Sequence, residues 1–202
     1  MQTYQSVRAS QYWRATAPAD RVNHGFTLIE LVITIAMAAI LVTLAVPSFQ
    51  GMIKNANLSS ETNELLAALQ TSRSEALTRK KPVTLCVSSE SYTSDDPACS
   101  DSATWKDGWI LFLDLNNSGT RTTGTGSSET LIRVGPAMNG NILTATGTSP
   151  VQRSVRFYPD GTASATGTIS LCDDRGTSAS KSVKIEQYTG RTYAQDGAGT
   201  CP

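Results

Sequence analysis

Apolar and polar positions divide the chain into an N-terminal apolar run and a longer, mixed remainder. Residues 26–46 form this run, and Glu30 is its only charged residue. As a helix rising about 1.5 Å per residue, 21 residues span roughly 30 Å, the thickness of one bilayer core. The pattern predicts a membrane-spanning helix close to the N-terminus.

Helical periodicity continues beyond the apolar run. At about 100° per residue a single apolar stripe recurs and predicts one buried helix face; it contains Leu58, Leu65, Leu69 and Ala76, widened by Leu66 and Leu77. Pro47 removes a helical hydrogen bond and favours a kink. Basic residues 79–81, followed by Pro82, suit a helix C-terminus. We predict one helix over roughly residues 27–79, bent or loosened around 47–51, whose second half packs on a globular head.

The remainder of the chain alternates short β-type segments with polar turns. Val, Ile, Thr and aromatic residues fill these segments, and Gly, Ser, Asp and Pro separate them. The candidate strands are residues 83–88, 108–115, 129–134, 141–145, 154–159, 167–172 and 181–188. The spacing predicts an antiparallel sheet covered on one side by the long helix, hence an α+β fold.

Charge orients the predicted membrane helix and limits the partners of the head. Arg8, Arg14 and Arg21 precede the apolar run, so the positive-inside rule places the N-terminus in the cytoplasm. The residues that follow the helix would then lie outside the inner membrane, on the side away from the cytoplasm. The 202 residues carry 17 basic and 17 acidic side chains, a balance that argues against a strongly basic nucleic-acid binder.

The four cysteines all follow the predicted membrane helix. Exported residues meet an oxidising environment in which disulfides persist. Cys86, Cys99, Cys172 and Cys201 allow three pairings, and proximity in sequence favours Cys86–Cys99 and Cys172–Cys201. Because there is no CxxC and His24 is the one histidine, the sequence predicts no metal site and no cofactor.

Glu30 requires an explanation because it lies within the apolar run. A carboxylate in a bilayer is costly, although less so near the interface. Cleavage after Gly25 would give Phe26 a new α-amino group at the same depth as Glu30. In an array of such helices, Glu30 of one subunit could pair with this amine of its neighbour, while an isolated helix would hold only an interfacial glutamate.

The stretch "GFTLIE" with its apolar run resembles the class III signal of type IV pilins and type II secretion pseudopilins. The resemblance implies that a prepilin peptidase cuts between Gly25 and Phe26 and methylates the new N-terminus. It also implies that Glu30 guides assembly into a filament. A proline near the position of Pro47 is common in pilins.

The head contains one further motif that could form a binding site. "DLNNSGT" begins like a calcium loop, with Asp114, Asn116 and Ser118 at the first, third and fifth positions, but Thr125 stands where a glutamate is required. A polar turn is the better interpretation. With His24 in the leader, the mature chain has no histidine for triad or acid–base chemistry, so we predict that it is not an enzyme.

The head as a whole resembles the GspH/FimT group of minor pilins, through "SRSEALTRKKPVTLC", "WKDGWILFLDLN" and the segment from "RFYPDGTA" to "YTGRT". Members that act in natural transformation bind DNA through a Gly-Arg-x-Arg motif. Here Gly190 and Arg191 match, and Tyr193 replaces the second arginine. Lys181 and Lys184 are the nearby cations that would have to cluster with Arg191 for phosphate binding.

These observations predict a minor pilin of a type IV pilus, incorporated near the tip and aiding assembly. The alternatives are an H-type minor pseudopilin of a type II secretion system and a DNA-receptor pilin. The expected parts are a leader (1–25), a membrane and filament-core half-helix (26–46), a second half-helix (47–81) and a periplasmic head (82–202). The expected partners are the prepilin peptidase, other pilins or pseudopilins, the inner membrane and, in the receptor alternative, DNA.

Overall fold

A computed structural model describes residues 25–201 except residues 125 and 198; the predicted leader, apart from Gly25, lies outside the described residues. Helix α1 comprises Leu28–Arg79, close to the predicted bounds of 27–79. The helical assignment continues through the region of the expected kink. The chain divides into two units between Leu44 and Ala45.

The first unit is the N-terminal part of α1. Thr27 begins the helix, because its Oγ1 accepts a hydrogen bond of 3.3 Å from the backbone N–H of Glu30. The apolar side chains of this unit are exposed within the chain, for example Leu28 and Leu44. The described residues contain one helix long and apolar enough to cross a membrane, and it is α1.

The second unit contains two four-stranded antiparallel sheets. The first sheet has the order β3-β2-β1-β5 and the second has the order β4-β6-β7-β8. The strands are β1 Val83–Val87, β2 Trp109–Leu113, β3 Leu131–Gly135, β4 Thr144–Gly147, β5 Ser154–Phe157, β6 Gly167–Cys172, β7 Lys181–Ile185 and β8 Thr192–Asp196.

The core of this unit lies between the second half of α1 and the sheets. The predicted helix stripe is buried at Leu58, Leu65, Leu69 and Ala76, each at most 1% exposed. It packs in one cluster with apolar side chains from both sheets, including Leu85, Phe157 and Ile169. The sequence also predicts Leu77 on the stripe, but Leu77 is 44% exposed, because it lies about 100° around the helix from the fully buried Ala76.

The structure corrects the predicted sheet in two respects. The strands form two sheets where one was expected, and the last strand, β8, was not predicted. β8 has the sequence "TYAQD" and is the edge strand of its sheet, with Ala194, Gln195 and Asp196 exposed. An edge strand that buries little apolar surface carries almost no alternating pattern, so its position depends on pairing with β7.

Both disulfides favoured by sequence proximity are present. Cys86 in β1 is bonded to Cys99, and Cys172 at the end of β6 is bonded to Cys201. The second bond fixes the end of the chain over the second sheet, where a side chain at Gly199 would meet Ser170 and Ser180. Gly199 and Cys201 therefore lie against β6 and the residue that precedes β7.

Candidate functional site

The predicted processing and assembly residues lie at the start of α1 and just before it. Gly25 and Phe26 precede the helix, and Phe26 is 83% exposed. Glu30 lies in the first turn of α1, where a negative charge is favourable to the helix dipole. Among the described residues no ion pair includes Glu30, so any cation that neutralises it must come from outside them.

In the second unit, a polar network joins α1 to the loop that follows β6. The buried carboxylate of Asp173 accepts hydrogen bonds from the Arg175 guanidinium and, at 2.9 Å, from Asn141 Nδ2. Arg175 Nη1 also donates to Asn55 Oδ1 at 2.8 Å. Lys54 forms an ion pair with Asp174. The "DDRG" turn thus ties the helix to the second sheet.

The protonation of this network follows from its contacts. Burial would raise the pKa of Asp173, but the hydrogen bonds and charge of Arg175, together with Asn141, outweigh it and lower the pKa. Hydrogen bonding to Asp173 raises the pKa of Arg175 despite the opposing effect of desolvation. The pair therefore remains charged at neutral pH.

A second connection lies near the C-terminal end of α1. Arg73 Nε donates to the carbonyl oxygen of Gly161 at 3.0 Å, and Arg73 Nη2 donates to that of Thr189 at 2.9 Å. Gly190 follows with a φ of +58°, and a Cβ there would collide with the carbonyl of Gly161. Gly190 is therefore required by this packed turn, whatever the turn binds.

The predicted DNA-binding residues are only partly brought together. Arg191 stacks over the Tyr193 ring at 5.2 Å, and Lys184 is the cross-strand partner of Tyr193. Lys181 is three residues from Lys184 on the same strand, so it lies on the opposite face of the sheet. It forms an ion pair there with Asp196. Arg191 and Lys184 both lie beside Tyr193 and Lys181 does not join them, so the three cations do not form the cluster that phosphate binding would require.

The calcium-like sequence is a structural turn. Asp114 is fully buried, and its carboxylate accepts hydrogen bonds from Arg156 Nε at 2.7 Å and from Thr84 Oγ1 at 2.7 Å. It also accepts from the backbone N–H groups of Ser118 and Gly119 at 3.0 Å. Because the Arg156 guanidinium already neutralises Asp114, the polar-turn interpretation fits and a calcium ligand does not.

Sequence reasoning missed the residues that join the helix to the sheet. In the sequence, "DDRG" is indistinguishable from an ordinary turn, and Arg73 is one cation in a polar stretch. No group of three metal-binding side chains occurs in the part of the chain that the structure describes. The one sequence feature that could have pointed to the Asp173 network was the pair of aspartates directly after a buried strand.

Comparisons with known proteins agree with the fold. The crystal structure of the type IV minor pilin FimU of Pseudomonas aeruginosa matches with a TM-score of 0.51 and 21% identity over 73% of this chain and 95% of that chain. A second crystal form of FimU matches with a TM-score of 0.47 and 21% identity over 70% and 94% of the two chains. A comparison with curated proteins found no significant match. The long helix packed on antiparallel sheets is that of a type IV pilin-like protein.

Two family models match the sequence. The prokaryotic N-terminal methylation motif covers residues 20–46, and the family described as "Type II transport protein GspH" covers residues 61–189. The chain therefore belongs to the GspH family. It is a minor pilin or pseudopilin of the type IV pilus and type II secretion class, whose members are filament components rather than enzymes.

Proposed function

We propose that this protein is a minor pilin of a type IV pilus, incorporated near the tip and aiding assembly of the filament. The observation that carries the proposal is the N-terminal segment, which combines the Gly25–Phe26 junction, Glu30 in the first turn, and an apolar helix that its own chain leaves uncovered. The fold likeness to a type IV minor pilin supports the pilus over the secretion filament.

The proposed sequence of events follows from these residues. The leader, residues 1–25, is removed by a prepilin peptidase, and Phe26 is methylated. The half-helix of residues 26–46 then lies in the inner membrane with the head on the periplasmic side. On transfer into a filament, the Glu30 carboxylate pairs with the N-terminal amine of a neighbouring subunit, because a charge in an apolar array requires a partner of opposite sign.

The test of this proposal is the Glu30→Ala variant of the full-length, tagged chain in its own cell. We expect normal membrane insertion, normal cleavage after Gly25, and at least a tenfold loss of the protein from sheared surface pili. Glu90→Ala is a matched control, since Glu90 is an exposed glutamate of the head. Normal incorporation of the Glu30→Ala protein would refute this role for the glutamate.

The second candidate is an H-type minor pseudopilin, which the description of the matching family favours. The two filaments differ in what fails when the gene is deleted. A minor pilin is required for surface piliation, whereas a pseudopilin is required for secretion of exported enzymes into the medium. Loss of secretion with normal piliation would therefore replace the first proposal with the second.

A further inference from the structure

Strand β8 is an edge strand, and its ladder with β7 fixes which of its backbone groups face outward. At one end the Glu186 N–H donates to the Arg191 carbonyl at 3.0 Å, and at the other the Gly197 N–H donates to the Ser180 carbonyl at 2.8 Å. Hydrogen-bonded and non-hydrogen-bonded pairs alternate along an antiparallel ladder. The odd-numbered residues from 191 to 197 therefore direct their N–H and carbonyl groups to β7.

The residues between them direct their backbone groups away from the sheet. They are Thr192, Ala194 and Asp196, and their N–H and carbonyl groups make no hydrogen bond with the described residues. Ala194 and Asp196 are exposed. Asp196 is the one charged residue of β8, and Lys181 already neutralises it. The middle of this edge therefore carries no charge that would repel an added strand.

The other three edge strands are covered or irregular. In β4, Ala145 is fully buried. Along β5, the Arg156 carbonyl accepts a hydrogen bond of 2.8 Å from the backbone N–H of Ser164, so the returning chain occupies that edge. The register of β3 with β2 shifts between Leu111 and Phe112. Coverage and irregular pairing are common protections of sheet edges, and β8 has neither.

Two pockets lie between β8 and one stripe of helix α1, one at each end of the strand. The helix residues that line them are Asn55 and Ser59 beside Asp196, and Gln70, Ser74 and Leu77 beside Thr192. Leu66 belongs to the same stripe, because it lies seven residues after Ser59 and four before Gln70. Leu66 is half-buried and Leu77 is exposed. A chain that continued the sheet beyond β8 would pass over this stripe.

We propose that β8 receives an extended segment of a neighbouring pilin subunit, which pairs with its outward backbone groups as a fifth strand of the second sheet. Side chains of Thr192 and Ala194 lie on the face of the sheet that carries the buried Val183 and Ile185. Residues opposite them would share this face and cover Leu66. Because Ala194 is small, the position opposite it accommodates a β-branched or aromatic side chain.

Charge and backbone chemistry define the occupant. Arg191 is exposed and forms no ion pair with the described residues, so a carboxylate of the added segment fits beside it. Only a polypeptide offers the alternating N–H and carbonyl groups that match the edge, which excludes a nucleic acid. A neighbouring pilin is the source because the chain belongs to a family of filament components. This identity of the partner rests on the proposed function.

The experiment compares Ala194→Pro with Ala194→Ser in the full-length, tagged chain in its own cell. Proline removes an outward N–H and places its ring at the open edge, while the hydrogen bonds to β7 remain. We expect its amount in sheared pili to fall about tenfold, the effect of losing one interstrand hydrogen bond. Ala194→Ser keeps the N–H and should enter pili normally. Entry of Ala194→Pro at the wild-type level would overturn the proposal.

A second proline tests the orientation of the strand. Gln195→Pro removes an N–H that points to β7 and should lower the melting temperature in detergent, whereas Ala194→Pro should melt like the wild type. If Ala194→Pro melts as low as Gln195→Pro, its N–H does not face outward and the proposal is wrong. Normal entry of Glu30→Ala into pili would refute the assembly role of Glu30, whereas normal entry of Ala194→Pro refutes the strand pairing alone.

A photoreactive amino acid in place of Ala194 identifies the occupant. In assembled pili we expect a covalent product with a different pilin, identified by mass spectrometry of the joined peptides. The same amino acid in place of Glu90, an exposed residue of the loop after β1, is the control and should not give this product. A product with a second copy of this chain, or no product above the control, would overturn the choice of partner.

Discussion

The apolar side chains of this protein are exposed in one of its two units and buried in the other. In residues 25–44 the large apolar residues remain exposed, with Leu41 at 68%, whereas in the second unit Leu58, Trp105 and Phe157 are fully buried. Exposed apolar surface of this size is unfavourable in water. The second unit therefore completes its own core, and the first unit requires lipid or other subunits to cover it.

Two carboxylates show the same contrast. Asp173 finds its cation, Arg175, within the chain, two residues away. Glu30 has no ion pair among the described residues, although it lies in a far more apolar segment. The charge of Asp173 is therefore compensated within the fold, whereas compensation of Glu30 requires a cation from outside the described residues.

The largest expected effect comes from truncating the core of the second unit. Trp105→Ala removes a fully buried side chain whose Nε1 donates to the carbonyl of Val151 at 3.3 Å, and should cost about 3–5 kcal/mol of unfolding free energy. Leu41→Ala, in the first unit, should change it by less than about 0.5 kcal/mol. Denaturant unfolding of the detergent-solubilised chain measures both. Equal losses would mean that the first unit contributes to the same core.

Removing the disulfides should give the next largest effect. Loop-closure entropy predicts a loss of about 3.6 kcal/mol for a bond that closes a loop with a separation of 29 residues and about 3.0 kcal/mol for a separation of 13. The Cys172→Ser/Cys201→Ser protein should thus melt below the Cys86→Ser/Cys99→Ser protein. The reverse order would show that the terminal segment holds its position without its bond.

The Asp173 network should give a smaller, pH-dependent effect. Because the pKa of Asp173 is lowered in the folded protein, its contribution to stability is complete above the ordinary aspartate value of about 3.9 and is lost as the pH falls below it. Asp173→Asn should cost about 1–3 kcal/mol at pH 7. Melting temperatures measured from pH 7 down to pH 3 should fall more steeply in the wild type than in Asp173→Asn. Parallel curves would assign the acid sensitivity to other carboxylates.

The smallest expected effect is on the binding of DNA by this protein. Without the proposed leader the chain carries 14 basic and 16 acidic residues, Lys181 is paired with Asp196 on the other face, and Tyr193 stands where the Gly-Arg-x-Arg motif has its second arginine. We therefore expect the full chain in detergent to show no salt-dependent DNA binding at low ionic strength. Binding that weakens with salt and drops in Arg191→Ala would instead support the DNA-receptor alternative.

Sequence patterns were informative wherever a property is local. The buried helix stripe follows from helical periodicity, and the end of the helix follows from the basic residues before Pro82. Seven of the eight strands follow from segments of Val, Ile, Thr and aromatic residues divided by turn residues. The cysteine pairing was favoured by proximity alone. The arrangement into two sheets, the edge strand β8 and the Asp173–Arg175–Asn55 network depend on contacts between residues far apart in the chain, for which the sequence carries no local signal.

The sequence alone was enough to predict the helix and the candidate residues of the N-terminal segment. An apolar run with one carboxylate behind a Gly–Phe junction can be recognised without knowing which residues it contacts in the fold. Only the tertiary structure decided the chemistry of the head. It directs Asp114 to Arg156, separates Lys181 from Lys184 on opposite faces of one strand, and leaves Glu129 Oε1 without a described partner. The reason is that a carboxylate or an ammonium is defined by its neighbours, and in the head those neighbours come from distant parts of the chain.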